Sequence, residues 1–360
     1  MIITLNSDVT EKQKKHILVY FEKKQMECVD TKGSDGELII VLGDTKTLAH
    51  DEILGLSGVL EIHKLKDTYT LISREFQKKT KIIEIKVNTA NETIKIGGDE
   101  LVFMAGPCSI ENKEQILKIA KEVKKAGAQI LRGGAYKPRT YPYSFQGLGT
   151  IGLKFLKEAS VEIGLPIITE STGLHKHVYK GVEEEKDTLH YVVECTDIVQ
   201  IGTRNMKSYG FLEEVAKRTK EKGIPILLKR GESATIDEFL GAAEYIVKNG
   251  NPNVILCLRG IRTFEPTKYL RYTSDIDTIC VLKRICNLPV IFDPSHATGD
   301  RNIVKQMSLA AIAAGADGLI IEAHYDPDNA QSDGKECITA DVLKDIINDA
   351  KKIKTMLRNS

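Results

Sequence analysis

From Leu101 onward the chain repeats one pattern, a short apolar run followed by an amphipathic stretch. The apolar runs start near Leu101, Ala128, Pro166, Asp197, Pro225, Asn253, Pro289 and Ala316. Helical periodicity follows each, over 113–126, 148–163, 174–194, 208–222, 235–249, 274–287, 301–314 and 339–357. Gly127, Gly164, Gly223, Gly250 and Gly315 stand between a helix and the next strand, where a left-handed C-cap belongs. Strands that alternate with helices predict a parallel sheet, because each crossover returns the chain to the end where it started. Eight even units over roughly 255 residues predict an α/β fold, a closed (β/α)8 TIM barrel spanning 101–360. An open doubly wound sheet is the alternative, and it suits eight even units less well.

Residues 1–73 follow another order. Strands are expected at 1–5, 25–30 and 37–42, helices at 11–24 and 47–56, and one or two more strands in 60–73. The order βαββαβ predicts a ferredoxin-like domain, two helices on one face of an antiparallel sheet. It carries no nucleophile, metal cluster or phosphate loop, which points to a regulatory or dimerising module. Residues 74–100 read as a connector whose two alternating runs form a hairpin about 88–91.

Lysine and arginine number 51 against 50 acids, a formal net charge of +1. That balance argues against nucleic acid or a membrane surface as a bulk partner, so any basic site is local. No apolar run approaches a membrane span, and the first residues lack the basic lead of a signal peptide. The seven cysteines are scattered, as expected of reduced thiols in the cytoplasm.

In such a barrel, chemistry belongs at the C-terminal ends of the strands. Those ends collect two sets of residues. The first is cationic: Arg132, Lys137, Arg139, Arg204, Lys229 and Arg259, with Arg230 and Arg262 close by. Like charges on one rim repel unless anions sit among them, and two phosphates with a carboxylate would balance the set. Solvated loops and surface ion pairs are the alternative for any one of these residues. The second set is Cys108, His296, Glu322 and Asp333. A thiolate, an imidazole and two carboxylates suit Zn, Fe or Mn better than Ca or Mg. Taken singly, Cys108 could equally be an inert buried thiol and His296 a scaffold residue. Strands 1, 7 and 8 become neighbours only if the barrel closes. His175 and His177 are assigned to a helix start, Glu183, Glu184 and Glu185 to a solvated helix face.

The motifs Gly-Pro-Cys-Ser (106–109), Lys-Pro-Arg-Thr (137–140), Gln-Ile-Gly-Thr-Arg (200–204), Leu-Leu-Lys-Arg-Gly (227–231), Arg-Gly-Ile-Arg-Thr-Phe (259–264), Asp-Pro-Ser-His (293–296) and Ser-Asp-Gly-Lys (332–335) occur in this order. With them the chain resembles the metal-dependent 3-deoxy-heptulosonate 7-phosphate (DAHP) synthases, in the type I-beta branch with a ferredoxin-like domain ahead of the barrel. The resemblance implies condensation of phosphoenolpyruvate with erythrose 4-phosphate and water, the first step of the shikimate pathway. It implies a divalent metal (Mn, Fe, Zn or Co) on Cys108, His296, Glu322 and Asp333. It assigns Arg132, Lys137, Arg204, Lys229 and Arg259 to phosphoenolpyruvate, Arg139 and Thr140 to erythrose 4-phosphate, and makes Lys137 a candidate proton donor. An aromatic amino acid effector acting through residues 1–73 and a homotetramer are further expectations from it. Three departures stand out: Thr203 where Ala is usual, Leu258 where Glu is common, and a longer segment between Gly173 and Cys195. The runner-up is 3-deoxy-octulosonate 8-phosphate synthase, expected to carry Ala-Asn-Arg-Ser in place of Lys-Pro-Arg-Thr and no N-terminal domain. A barrel that binds phosphometabolites without turnover would be expected to have a broken metal set.

Overall fold

Strands buried on both faces must be apolar almost throughout, and eight segments of this chain meet that demand. The computed structural model describes residues 1–359 except 34–35, 44, 64–68, 88–91, 140, 142 and 265–268, and the side chains of 32, 33 and 46. Two units emerge, Met1–Lys79 with Ile285–Asn287, and Thr80–Arg284 with Leu288–Ser360.

The first unit holds β1 (Ile2–Leu5), α1 (Glu11–Lys23), β2 (Glu27–Gly33), β3 (Gly36–Leu42), α2 (His50–Leu54) and β4 (Val59–His63). Its antiparallel sheet has the order β2-β3-β1-β4, the ferredoxin-like arrangement. Thr10 starts α1 through a reciprocal capping box with Gln13. Ile17 and Phe21 of that helix pack on Ile3, Ile39 and Val41, and Ile53 of α2 joins the same cluster.

The second unit opens with a hairpin, β5 (Ile83–Lys86) and β6 (Thr93–Ile96), whose turn lies outside the described residues. Ile83, Ile85, Ile94 and Ile96 pack against the barrel interior, including Val102, Ile130 and Ile198, the first residues of their strands or nearly so. The hairpin therefore plugs the N-terminal end.

The barrel follows: β7 (Val102–Gly106), α3 (Lys113–Ala126), β8 (Ile130–Arg132), α4 (Thr150–Ile163) and β9 (Ile167–Ser171). Next comes an inserted hairpin, β10 (Val178–Tyr179) and β11 (Val182–Glu183), before α5 (Thr188–Cys195) and β12 (Ile198–Ile201). The rest is α6 (Tyr209–Lys220), β13 (Ile226–Lys229), α7 (Ile236–Lys248), β14 (Val254–Leu258), α8 (Asp277–Ile285), β15 (Val290–Phe292), α9 (Pro294–Thr298), α10 (Arg301–Ala313), β16 (Gly318–Glu322) and α11 (Ala340–Arg358). All eight barrel strands pair in parallel, and β16 closes on β7. Gly127 and Gly164 end α3 and α4 in the left-handed conformation, as expected of them.

One expected helix is different. The helix expected over 174–194 is confined to α5, and the segment before it is a hairpin turning at Lys180 and Gly181, both with positive φ. A two-residue loop with positive φ at both positions matches the right-handed twist of a hairpin. The apolar period of 174–194 is thus a helical signal in its second half only.

Candidate active site

The strand ends bring the expected residues to one rim. Arg132 is the last residue of β8, Lys229 of β13 and Glu322 of β16, and each is buried. Cys108 follows β7 by two residues and is also buried. His296 lies in α9, a short helix whose N-cap Asp293 accepts from the His296 amide. Asp333 sits in the loop after β16 with φ +53, in the left-handed region that a non-glycine residue occupies only when its surroundings demand it.

Two charged groups interlock. Asp293 is fully buried; its Oδ2 accepts from Lys229 Nζ and lies 2.8 Å from His296 Nδ1. Burial raises the Asp293 carboxyl, yet His296, Lys229 and Arg132 outweigh it and hold it well below the usual range. His296 is itself lowered, chiefly by burial, against the opposing pull of Asp293 and Glu322. Its Nε2 lies 3.4 Å from Glu322 Oε1 and 4.0 Å from Glu336 Oε1. Ligand atoms of His296, Glu322, Asp333 and Glu336 all lie within 4.8 Å of one another. Cys108 Sγ borders this group, donating to Asp333 Oδ2 at 2.8 Å.

The fit to a cation rests on what the protein leaves unsatisfied. Arg132 Nη1 is 3.1 Å from Glu322 Oε1, but the two are not aligned as a hydrogen bond. Neither oxygen of Glu322 accepts a hydrogen bond among the described residues, although its side chain has no exposure. A buried carboxylate left so is costly, and a metal ion beside His296 would satisfy it. A thiol, an imidazole and carboxylates are a transition-metal donor set.

The cations ring the same space. Arg132, Lys137, Arg139, Arg204, Lys229 and Arg259 line one cavity of about 240 Å³, together with His296 and Asp333. Arg259 is buried over the Tyr272 ring, its guanidinium carbon 4.0 Å from the centroid. Its Nε and Nη1 have no hydrogen-bond partner among the described residues, which is what an anion would supply. Lys137 Nζ donates to the Cys108 carbonyl at 3.0 Å and lies 3.0 Å from Cys108 Sγ. Gly134 permits this approach: a Cβ there would stand 2.5 Å from the Cys108 carbonyl oxygen and 3.2 Å from Lys137 Nζ. Burial pulls Lys137 down, but Cys108, Glu170 and Glu322 outweigh it, so the amine stays a charged proton donor. Arg139 and Arg204 are less buried; Arg139 Nε donates to Phe145 O at 2.8 Å and Arg204 Nη1 to Pro138 O at 3.3 Å. Thr140 lies outside the described residues.

Residues 82–359 match the DAHP synthetase I family. The chain belongs to that family. The phospho-2-dehydro-3-deoxyheptonate aldolase of Thermotoga maritima is 38% identical over 357 residues, 99% of this chain and 98% of that protein. A crystal structure of that DAHP synthase matches with a TM-score of 0.73 at 37% identity, covering 99% of this chain and 97% of the other. A 2-dehydro-3-deoxyphosphooctonate aldolase from Geobacter sulfurreducens is more distant, 28% identical over 285 residues, 74% of this chain and 97% of that one. The DAHP synthetase likeness thus runs through both units, whereas the octonate aldolase is similar over a smaller share.

Some residues at this site were not legible in sequence. Glu336 is buried beside Glu322, and burial together with that charge pushes its carboxyl up to about 9. Arg271 Nη1 contacts both Glu336 oxygens at 2.6 Å and lies 3.8 Å from Asp333. Asp293 was visible only as part of Asp-Pro-Ser-His, with nothing to mark it as the partner of Lys229. Arg230 turns away to Asp275, at 2.6 Å, and Arg262 to Glu232, at 2.8 Å. Among the described residues those two are held by carboxylates rather than added to the ring.

Proposed function

We propose that this chain condenses phosphoenolpyruvate with erythrose 4-phosphate and water, giving 3-deoxy-D-arabino-heptulosonate 7-phosphate and phosphate. The observation that carries the reading is the match along 99% of the chain to a phospho-2-dehydro-3-deoxyheptonate aldolase. The charge pattern of the cavity agrees with it. Arg132, Lys229 and Arg259 are the phosphoenolpyruvate side of the site, reached also by Lys137 and Arg204. Arg139 and Thr140 are the erythrose 4-phosphate side. Two polyanions repel in water; guanidinium forks and ammonium groups fixed around both remove that barrier and align the reacting carbons.

Cys108, His296, Glu322 and Asp333 would hold a divalent metal, with Glu336 near enough to be a further carboxylate. When bound, the metal supplies Lewis-acid polarisation of the aldehyde oxygen. Lys137 donates a proton to the oxygen that becomes the new hydroxyl. The enol carbon joins the aldehyde carbon, water adds at the phosphate-bearing carbon, and phosphate leaves. Among Mn, Fe, Zn and Co, the thiol favours the softer ions.

The N-terminal unit is the seat of feedback inhibition by tyrosine or phenylalanine in this reading, the active form is a homotetramer, and the enzyme works in the cytoplasm, which fits its free cysteines. The test is a phosphate-release assay with erythrose 4-phosphate and arabinose 5-phosphate side by side, each with and without chelator. Preference for erythrose 4-phosphate that chelator abolishes is expected. Turnover of the pentose phosphate alone would move the chain to the octonate aldolases, and binding of phosphoenolpyruvate without phosphate release would make it a sensor.

A further inference from the structure

The insertion before α5 touches the loop that carries Lys137 and Arg139. Both legs of the insertion are anchored on the barrel. Thr188 Oγ1 donates to Gly173 O at 2.8 Å, and Asp187 caps α5 while receiving both oxygens' worth of contact from Arg218 of α6, at 2.8 and 2.9 Å. Between these anchors β10 and β11 project, and the Glu184 amide donates to His177 O at 2.9 Å to close the hairpin base.

Glu184 then reaches the loop at two points. The Tyr136 hydroxyl donates to its carboxylate, at 3.0 Å to Oε2, and the Thr150 amide donates to Oε1 at 2.8 Å. Tyr136 is the residue before Lys137, and Thr150 is the first residue of α4. One carboxylate therefore ties together the two ends of the segment 137–149. It also supplies the N-terminal acceptor that α4 lacks, because its own N-cap is Gly149. Tyr136 is buried, and burial with the Glu184 charge pushes its phenol well up, so it remains a donor. His177 packs its ring edge-on to Tyr136, centroids 5.2 Å apart. Gly149, at φ +60, makes the approach possible: a Cβ there would stand 2.4 Å from Glu184 Oε1 and 2.6 Å from His177 Cδ2.

We propose that this hairpin is a positioning strap, in which Glu184 acts through Tyr136 and Thr150 to hold the loop bearing Arg139 in its aldose phosphate-binding form. The proposal rests on the condensation reading for its kinetic consequence only. Lys137 has its own anchor on Cys108, whereas Arg139 is tied to Phe145 within the loop itself. Loosening the strap therefore acts mainly on the second substrate.

The experiment compares Tyr136→Phe, Glu184→Ala, Glu184→Gln and the double variant Tyr136→Phe/Glu184→Ala in the full chain with its metal. Tyr136→Phe and Glu184→Ala are expected to lower kcat/KM for erythrose 4-phosphate about tenfold, with KM for phosphoenolpyruvate within about twofold. Glu184→Gln, which keeps an acceptor oxygen, should recover most of the loss. The double variant should be no worse than Glu184→Ala, because that change already removes the bond that Tyr136→Phe cuts. Hydrogen exchange read over 139–148 is the second arm, and both single variants should exchange there about tenfold faster. Wild-type kinetics toward both substrates, with only the melting temperature lowered, would overturn the strap. So would unchanged exchange in that segment. If the parent protein does not condense the two substrates at all, the functional reading fails, and the exchange arm alone judges the strap.

Discussion

At the scale of single residues, the site pairs most of its charges but leaves two buried groups short of partners. Among the described residues, Glu322 is buried without an aligned donor, and Nε and Nη1 of Arg259 without an acceptor. The protein has placed opposite deficits in one cavity, a carboxylate that wants a cation and a guanidinium that wants an anion. Cys108→Ala is expected to lower turnover by more than roughly a hundredfold, since losing even an outer partner of a metal ligand costs up to that much. Metal analysis of the purified variant should show reduced occupancy; full occupancy with full activity would remove Cys108 from the set. Asp293→Asn tests the other half. It leaves the buried Lys229 ammonium without its counter-charge, so it should destabilise the fold by about 3 kcal/mol in a denaturant titration. A stability within error of the parent would mean that Lys229 finds another partner.

At the scale of elements, each functional side chain is aimed by a local device. The short helix α9 exists because Asp293 caps it and Pro294 opens it, and that turn is what directs His296 inward. The hairpin β5–β6 acts at the other end of the barrel, filling space that barrel side chains alone leave open. Ile85→Ala should cost about 2–4 kcal/mol by cavity formation. The same variant should keep its kcat below its melting transition, because the plug lies at the N-terminal ends and the chemistry at the C-terminal ends. A parallel fall in kcat and stability would show that the two ends are coupled.

At the scale of the whole molecule, the proposed reading places catalysis in the barrel and regulation in the ferredoxin-like unit. The described residues that line the cavity all belong to the barrel unit. Deleting residues 1–73 should therefore leave condensation measurable while abolishing inhibition by tyrosine or phenylalanine. Inhibition by both that survives the deletion would refute a regulatory role for that unit. Chelation should silence the intact chain, and added divalent metal should restore it, with the ion giving the largest recovery identifying the preferred one. Because formal charge is nearly balanced, moderate salt should weaken substrate binding only through the cavity's own cations.

The repeat of apolar run and amphipathic stretch was enough to specify the barrel, because a parallel sheet buried on both faces leaves its period in the chain itself. The βαββαβ order was legible from the switch between strand and helix periods along residues 1–73, and Arg132, Lys229 and Glu322 could be placed at one rim by counting to the ends of strands. Side-chain partnerships across the barrel leave no such mark. Nothing near Glu336 announces that it is buried against Glu322, and nothing near Glu184 announces Tyr136, 48 residues away. An amphipathic helix and a solvated hairpin also share their polar composition, so the segment before α5 carries a helix-like pattern although it folds as a hairpin. Closure of the ring decides these contacts: it brings the first strand beside the last and sets residues far apart in the chain within a few ångströms, where burial gives their charges strength.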